Sequence, residues 1–534
     1  MLSKFPRLIA SALCLLAGLM AAWGFAPTEL WWLMPACLAI LVYFWCQARP
    51  KQAAWYGYCF GLGLYLHGTV WIVTLAHDFN GAAYWLAWLI HFIIACILAS
   101  YIAVVGYLQA KLLPAKTRDT RGHLNRSNNS NHLNHLNHLT HQIQRPIWQR
   151  ALLVSALWVL ADWLRGNVLS NFPWLEIAYS QTGFALSAYA ALGGIGMVSF
   201  VLILCAFCLV NVLSYLCSNC VRRSVKTFIT LLLLFGVGAG LQTINWSRPI
   251  DQPFTAALVQ ANIPIQQKWQ EQALDRVIRT YYRQTKDLNV DLAIWPETAV
   301  PTRLQRVDEA FWHKAASGEL ISGVEQVIEG TRYNAAIMTC RDQRQIYQKQ
   351  RLVPFGEYIP FRFLTQFVAH YIGLEVHQYG HAEQSTVFDC DSLTAIGLSI
   401  CFEIAFPRLI RQHALQSQVL VNISEDAWFG DAAATFQRLQ MARMRAIEFS
   451  RPMLASSNSG PSAIIDHHGQ IAAMSGHHVQ QTVQGRVFPQ QGMTPFLRWG
   501  DWFVLLCLAI AVMFLFWRVL IGVNNRFSQE VSEQ

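Results

Sequence analysis

Charge is what this chain of 534 residues has least of. Asp, Glu, Lys and Arg together make up 13% of it while hydrophobic residues reach 54%, against about 25% charged residues in an ordinary soluble protein. That scarcity excludes a wholly soluble chain, and the length alone is too great for one ordinary domain. The apolar residues gather in stretches of roughly twenty, enough at about 1.5 Å per residue to cross a hydrocarbon layer of about 30 Å. Spans are expected near Ile9–Phe25, Leu30–Cys46, Trp55–Ala76, Ala83–Leu108, Ile147–Trp163, Phe184–Leu216, Thr227–Gln242 and Trp502–Leu520. Phe184–Leu216 exceeds one simple span, which puts its start in the interface.

Two further absences orient the chain. No small-x-small cleavage site follows the first apolar stretch and another span comes at once, so that stretch is expected to stay as an anchor. The gaps Ala26–Glu29 and His77–Ala82 hold no Lys or Arg, and the gap after Trp163 holds only Arg165. The basic residues crowd the alternate gaps instead: Lys4 and Arg7, Arg49 and Lys51, Lys111 through Arg150, Arg222, Arg223 and Lys226, then Arg518 and Arg526. Basic loops stay inside, so both termini are expected to be cytoplasmic and Asn245–Asp501 external. The net charge of +9 follows from this bias and from contact with anionic lipid, and does not call for a nucleic-acid partner.

Thirteen cysteines suggest a disulfide framework only until they are placed. Most fall in the spans, where they act as small apolar residues. Cys217-x-x-Cys220 lacks the second pair that would make a metal site. Only Cys340, Cys390 and Cys401 lie in the external segment; the first two have the option of pairing in an oxidising compartment, although sequence does not show that they meet.

Three regions are expected: a transmembrane bundle over 1–244 with a histidine-rich cytoplasmic loop at 114–146, an external catalytic domain over 245–498, and a closing transmembrane helix with a cytoplasmic tail over 499–534. In that loop, the tract Asn131–His141 places histidines three apart. It reads as a solvated expansion of a short repeat, because asparagine disfavours helix and the loop needs no fold; no metal site is expected in the chain. The external domain changes style. Phe254–Val259, Leu292–Ile294, Ala395–Ile400 and Val419–Ile423 read as buried strands, and Glu271–Leu288 and Thr435–Ser450 have helical composition and spacing. Alternating strands and helices imply an α/β domain.

Within that domain three residues carry chemistry. Glu297 follows a strand and a Trp-Pro pair, so its carboxylate stands on a rigid edge, unless it serves as a helix cap or a surface charge. Lys349 precedes Leu352-Val-Pro-Phe355 and by itself would be an ordinary solvated lysine. Cys401 ends an apolar strand, which suits inert core and a nucleophile at a strand-to-helix corner equally. A thiol with a carboxylate and an ammonium is the equipment for acyl transfer through a thioester.

The motifs around these residues carry a resemblance. Trp295-Pro-Glu-Thr-Ala-Val-Pro301, Lys349 before Leu352-Val-Pro-Phe-Gly-Glu357, Ile400-Cys-Phe-Glu403 and Asp426-Ala-Trp-Phe-Gly430 resemble the nitrilase (carbon–nitrogen hydrolase) superfamily, and most closely the bacterial apolipoprotein N-acyltransferase family within it. Asp162-Trp-Leu-Arg-Gly166, Asn171-Phe-Pro-Trp-Leu175, Val259-Gln-Ala-Asn-Ile-Pro264 with Lys268-Trp269, and Gln440-Met-Ala-Arg-Met-Arg-Ala446 extend the likeness along nearly the whole chain. The resemblance implies about eight transmembrane helices with an external nitrilase-like αββα sandwich and no cofactor. It implies Cys401 as nucleophile, Glu297 as general base and Lys349 as the cation beside the oxyanion. Glu357 and Glu403 are its supporting carboxylates, with surface salt bridging as their plainer reading; Trp269 and Phe402 are candidate apolar walls, with core packing as theirs. The implied reaction moves an acyl chain from a phospholipid, typically phosphatidylethanolamine, through a cysteine thioester to the N-terminal amine of a diacylglyceryl-cysteine apolipoprotein. A membrane-tethered amidase with the same triad is the first alternative, and a non-enzymatic scaffold or metal-binding protein built on the histidine tract the second. Two departures stand out: Glu425 where asparagine is expected, and Phe402 where tyrosine is common. An extra carboxylate at such a site raises neighbouring pKa values or repels charge.

Overall fold

The structure, a computed structural model, describes residues 7–79, 81–114, 147–169, 171–250, 252–340, 343–354, 356–358, 378–383, 387–390, 393–430 and 433–533. The histidine tract Asn131–His141 lies outside the described residues. Among those described, six helices are long and apolar enough to cross a membrane: Arg7–Gly24, Tyr84–Leu112, Ile147–Val168, Ala185–Cys217, Val221–Gln242 and Trp502–Leu520. Pro50–Gly68 and Trp71–Asp78 pass as a pair that bends by 53° at its break, where one straight span was expected. The expected span Leu30–Cys46 is a helix of 13 residues, Leu33–Trp45; at 1.5 Å per residue it covers about 20 Å, short of the hydrocarbon layer.

Glycine sets how closely the bundle packs. A Cβ at Gly63 would lie 2.8 Å from the Leu19 nitrogen, and one at Gly18 would lie 2.9 Å from the Leu64 nitrogen, so the first helix seats backbone to backbone on Pro50–Gly68. At the other side Gly194, with φ +68, interrupts the helical backbone near the start of the long span. The Ile195 N–H that this break leaves free donates to Glu448 at 2.9 Å, from a helix of the external domain.

The external domain is two facing sheets with helices on both outer sides. One sheet orders the strands Ile471–Met474, Ala463–Ile465, Met453–Ser457, Val419–Ser424, Leu393–Ile400 and Val387–Cys390. The other orders Gln481–Val487, Phe254–Gln260, Leu292–Ile294, Glu319–Ile328, Thr331–Cys340 and Gln343–Gln348. Along Phe254–Gln260, Ala256 and Leu258 face the space between the sheets while Ala257 and Val259 face the outer layer, packing with Val277 and Tyr281 of Leu274–Thr285. A strand covered on both faces has no polar side, which is why these strands read as unbroken apolar runs. Pro407–Ala414 and Ala434–Phe449 cover the first sheet. Cys340 and Cys390 are joined in a disulfide, Cα atoms 5.6 Å apart.

Ala434–Phe449 also joins the domain to the bundle. Trp174 Nε1 donates to Gln437 Oε1 at 2.6 Å, Gln437 Nε2 to the Gly68 carbonyl at 3.2 Å, and Arg445 Nη2 to the Tyr179 hydroxyl at 3.1 Å. One apolar core runs from this helix into the bundle, so the strands of the external domain and the membrane helices are fixed relative to each other.

Candidate active site

The central strands of both sheets run parallel, Phe254–Gln260 beside Leu292–Ile294 and Leu393–Ile400 beside Val419–Ser424. Glu297 and Cys401 follow the carboxyl ends of these strands, the usual place for a site in sheets of this kind. Glu297 comes three residues after Ile294. Trp295 anchors the strand end, its indole stacked on Tyr281 at 5.3 Å and bonded to Thr285 Oγ1 at 2.9 Å. The chain then turns through Thr298 at φ +47. It passes so close to Gly323 that a Cβ there would sit 2.6 Å from the Glu297 Cα; only glycine leaves room. Glu297 is therefore no helix cap. Its Oε1 accepts from Asn334 Nδ2 at 2.6 Å and Lys349 Nζ at 3.4 Å, and its Oε2 from the Glu425 N–H at 2.8 Å.

Lys349 is not the solvated lysine its neighbours suggest. It follows the strand Gln343–Gln348, its N–H donates to the Asn334 carbonyl at 2.9 Å, and the residue is 1% exposed. Nζ reaches Glu357 Oε1 at 2.8 Å. Burial opposes its charge, but Glu357 and Glu297 outweigh that effect and hold its pKa above the ordinary lysine value, so it is an ammonium throughout the physiological range. Glu357 accepts the Val353 N–H at 2.8 Å through its other oxygen. Glu403 is fully buried and does not bond Lys349: it takes the Ile400 N–H at 2.7 Å, the Tyr347 hydroxyl at 2.8 Å, and the N–H groups of Gln350 and Arg351 at 2.6 and 3.0 Å. It ties the end of the thiol's strand to the segment after Lys349. Neither carboxylate is a surface salt bridge.

Cys401 is the corner residue. It has φ +52 and opens the short helical turn Cys401–Ala405 directly after Leu393–Ile400. Its carbonyl accepts from Asn422 Nδ2 at 3.3 Å; Arg438 Nη1 donates to Asn422 Oδ1 at 2.9 Å, and Arg438 is paired with Asp426 at 2.7 Å. A strained corner braced by a buried network is how sites hold a reactive atom in place. Burial, then the negative charge of Glu297, push the thiol's pKa well up; Lys349 opposes them. The resting sulfur is thus protonated at neutral pH, and a thiolate forms only as a base takes the proton. Iodoacetamide is accordingly expected to alkylate Cys401 more slowly than free cysteine at neutral pH, with a rate still rising above pH 9; a neutral-pH plateau would contradict the assignment.

The bundle supplies one wall of the site. Phe402 stacks on Trp174 at 6.1 Å and 15°, with Phe172 at 6.3 Å. Trp71, at the bend of its span, contacts Trp174 at 5.1 Å and Phe429 at 5.2 Å. Trp269, the other candidate wall, is 45% exposed. Asn334, which bonds both Glu297 and Glu357, has no motif to betray it; it is found only because two strands pair across it. Lys268 and the departure Glu425 form a buried ion pair beside Glu297.

The chain is similar to known proteins along nearly its whole length. Residues 17–208 match the family described as apolipoprotein N-acyltransferase N-terminal domain, and residues 255–491 match carbon-nitrogen hydrolase. The chain is 32% identical over 517 residues to the apolipoprotein N-acyltransferase of Chromobacterium violaceum, covering 94% of this chain and 93% of that one. It is 32% identical over 522 residues to that of Azotobacter vinelandii, covering 95% and 94%. A solved CN-hydrolase superfamily protein from Xanthomonas campestris is 16% identical, with a TM-score of 0.32, over 44% of this chain and 91% of that one.

Proposed function

This chain belongs to the apolipoprotein N-acyltransferase family, and on that premise we propose that Cys401 is its nucleophile, Glu297 its general base and Lys349 the cation that meets the oxyanion. It is a multi-pass bacterial membrane enzyme that N-acylates lipoproteins. The observation that carries the residue roles is the meeting of all three groups at strand ends drawn from both sheets, beside an aromatic wall from the membrane bundle.

The steps follow from the contacts. Glu297 takes the thiol proton, and the sulfur attacks the carbonyl carbon of a phospholipid acyl ester, which we take to be phosphatidylethanolamine. The negative charge that develops on the carbonyl oxygen is balanced by Lys349. Collapse breaks the ester C–O bond, Glu297 returns the proton to the departing alkoxide, and lysophospholipid leaves a thioester on Cys401. The α-amine of the diacylglyceryl cysteine then attacks the thioester carbon and gives a proton to Glu297, which passes it to the departing thiolate. Because both substrates carry acyl chains, a site at the bilayer avoids about 0.8 kcal/mol for each CH₂ drawn into water, and the Phe402, Phe172 and Trp174 wall keeps water from the thioester.

The catalytic domain faces the periplasm and both termini the cytoplasm; the distribution of Lys and Arg supports this, as does the Cys340–Cys390 disulfide in the external domain. Intact-mass measurement tests the function. The protein with phosphatidylethanolamine alone is expected to gain one acyl mass on Cys401, and a diacylated lipopeptide to discharge it as an amide. Release of free fatty acid at the same rate with and without the peptide would make the protein an amidase or esterase instead.

A further inference from the structure

Glu297 is held from a second side by groups to which the reaction gives no role. Lys268 Nζ donates to the Glu297 main-chain carbonyl at 3.2 Å and is ion-paired with Glu425 Oε2. Glu425 offers its own N–H to Glu297 Oε2 at 2.8 Å. Its other oxygen accepts from Asn458 Nδ2 at 2.9 Å and from the Ala427 N–H at 3.3 Å. Asn458 is in turn fixed by Ile263 and the Tyr281 hydroxyl. Both members of the pair are 1% exposed, and an ion pair so far from water is costly to keep unless its geometry is needed. The charged and titratable groups around Glu297 are Lys349, Glu357, Cys401 and the Tyr379 hydroxyl, with Lys268 and Glu425 on the opposite flank. Counted as ionised, three carboxylates share two ammonium groups.

We propose that Lys268 and Glu425 are positioning residues for the base: Lys268 pins the Glu297 main chain and cancels the charge of Glu425, whose N–H fixes the free oxygen of the Glu297 carboxylate. The second carboxylate, expected to disturb the site, thereby stands beside the first with its charge paired. The inference rests on Glu297 being the base. Two parts of the role separate under mutation, since Lys268 supplies both a hydrogen bond and a charge.

The test is the pH profile of acyl-enzyme formation, read by intact mass on the full-length protein with phosphatidylethanolamine vesicles. Lys268→Met is expected to slow acylation about tenfold at neutral pH and to move the acid limb up by about one pH unit, because Glu425 is left uncompensated beside Glu297. Lys268→Met with Glu425→Gln removes both charges; the acid limb is expected to return to its natural position while the rate stays reduced, as the bond to the Glu297 carbonyl is still missing. A merely structural pair predicts lower yield and melting temperature with an unmoved limb in both variants, which would overturn the proposal. Should the single variant not accumulate, a natural limb at reduced rate in the double variant supports the positioning role, and a natural rate there overturns it. Glu297→Gln is the control: if it still acylates normally, the base assignment fails, and not merely this inference.

Discussion

Alanine at Cys401 abolishes acylation of the protein by phospholipid while leaving the fold in place. The expectation is a strong one because the site offers no substitute. Cys401 stands at φ +52, where any residue with a Cβ is strained to a similar degree, so alanine inherits the corner and its bond from Asn422. Only the sulfur is lost. Removing the nucleophile of a covalent mechanism costs on the order of 10⁶ in rate, which is total loss in a mass measurement. The Cys340–Cys390 disulfide and the melting temperature report whether the fold has survived. Acyl mass still gained by the variant would place the nucleophile elsewhere; loss of the folded protein would make Cys401 a packing residue.

Motif wording points to Glu297, Lys349 and Cys401 together, but the state of each group is not legible in it. Lys349 reads as solvated because its sequence neighbours are polar; the strand pairing that buries it joins residues distant in sequence. Cys401 is balanced between core and corner in the sequence, and the positive φ that puts it at the corner is a property of the fold. Glu403 carried no sign that it would bind main-chain N–H groups from two segments. Six of the eight expected spans were legible in rough position from hydropathy, whereas the short helix Leu33–Trp45 and the 53° bend before Trp71 were not. Hydropathy counts apolar residues, and both features depend on how those residues pack. That bend places Trp71 against Trp174 and Phe429, so the least legible part of the bundle is the part that reaches the site.

Methionine at Lys349 is the sharper probe of mechanism, since it keeps most of the lysine stem and removes only the charge. Two losses are expected. The oxyanion loses its cation, which for one preorganised donor costs about 2.7–4 kcal/mol, or roughly 10²–10³ in rate. Glu297 and Glu357 are then left facing each other across Asn334, at 2.6 and 2.8 Å from its Nδ2, with no ammonium between them. Two carboxylates so placed hold an extra proton, and a proton on Glu297 disables the base. The sign of the pH dependence follows. The extra proton is bound at low pH and released as pH rises, so acylation by Lys349→Met is expected to recover in part toward alkaline pH, with its acid limb displaced upward. Recovery should stop short of the natural rate by the oxyanion factor, because no increase in pH restores the cation. Full recovery would confine Lys349 to tuning Glu297, and a uniform loss with no displaced limb would confine it to the oxyanion. A rate equal to the natural one at every pH would remove Lys349 from the mechanism.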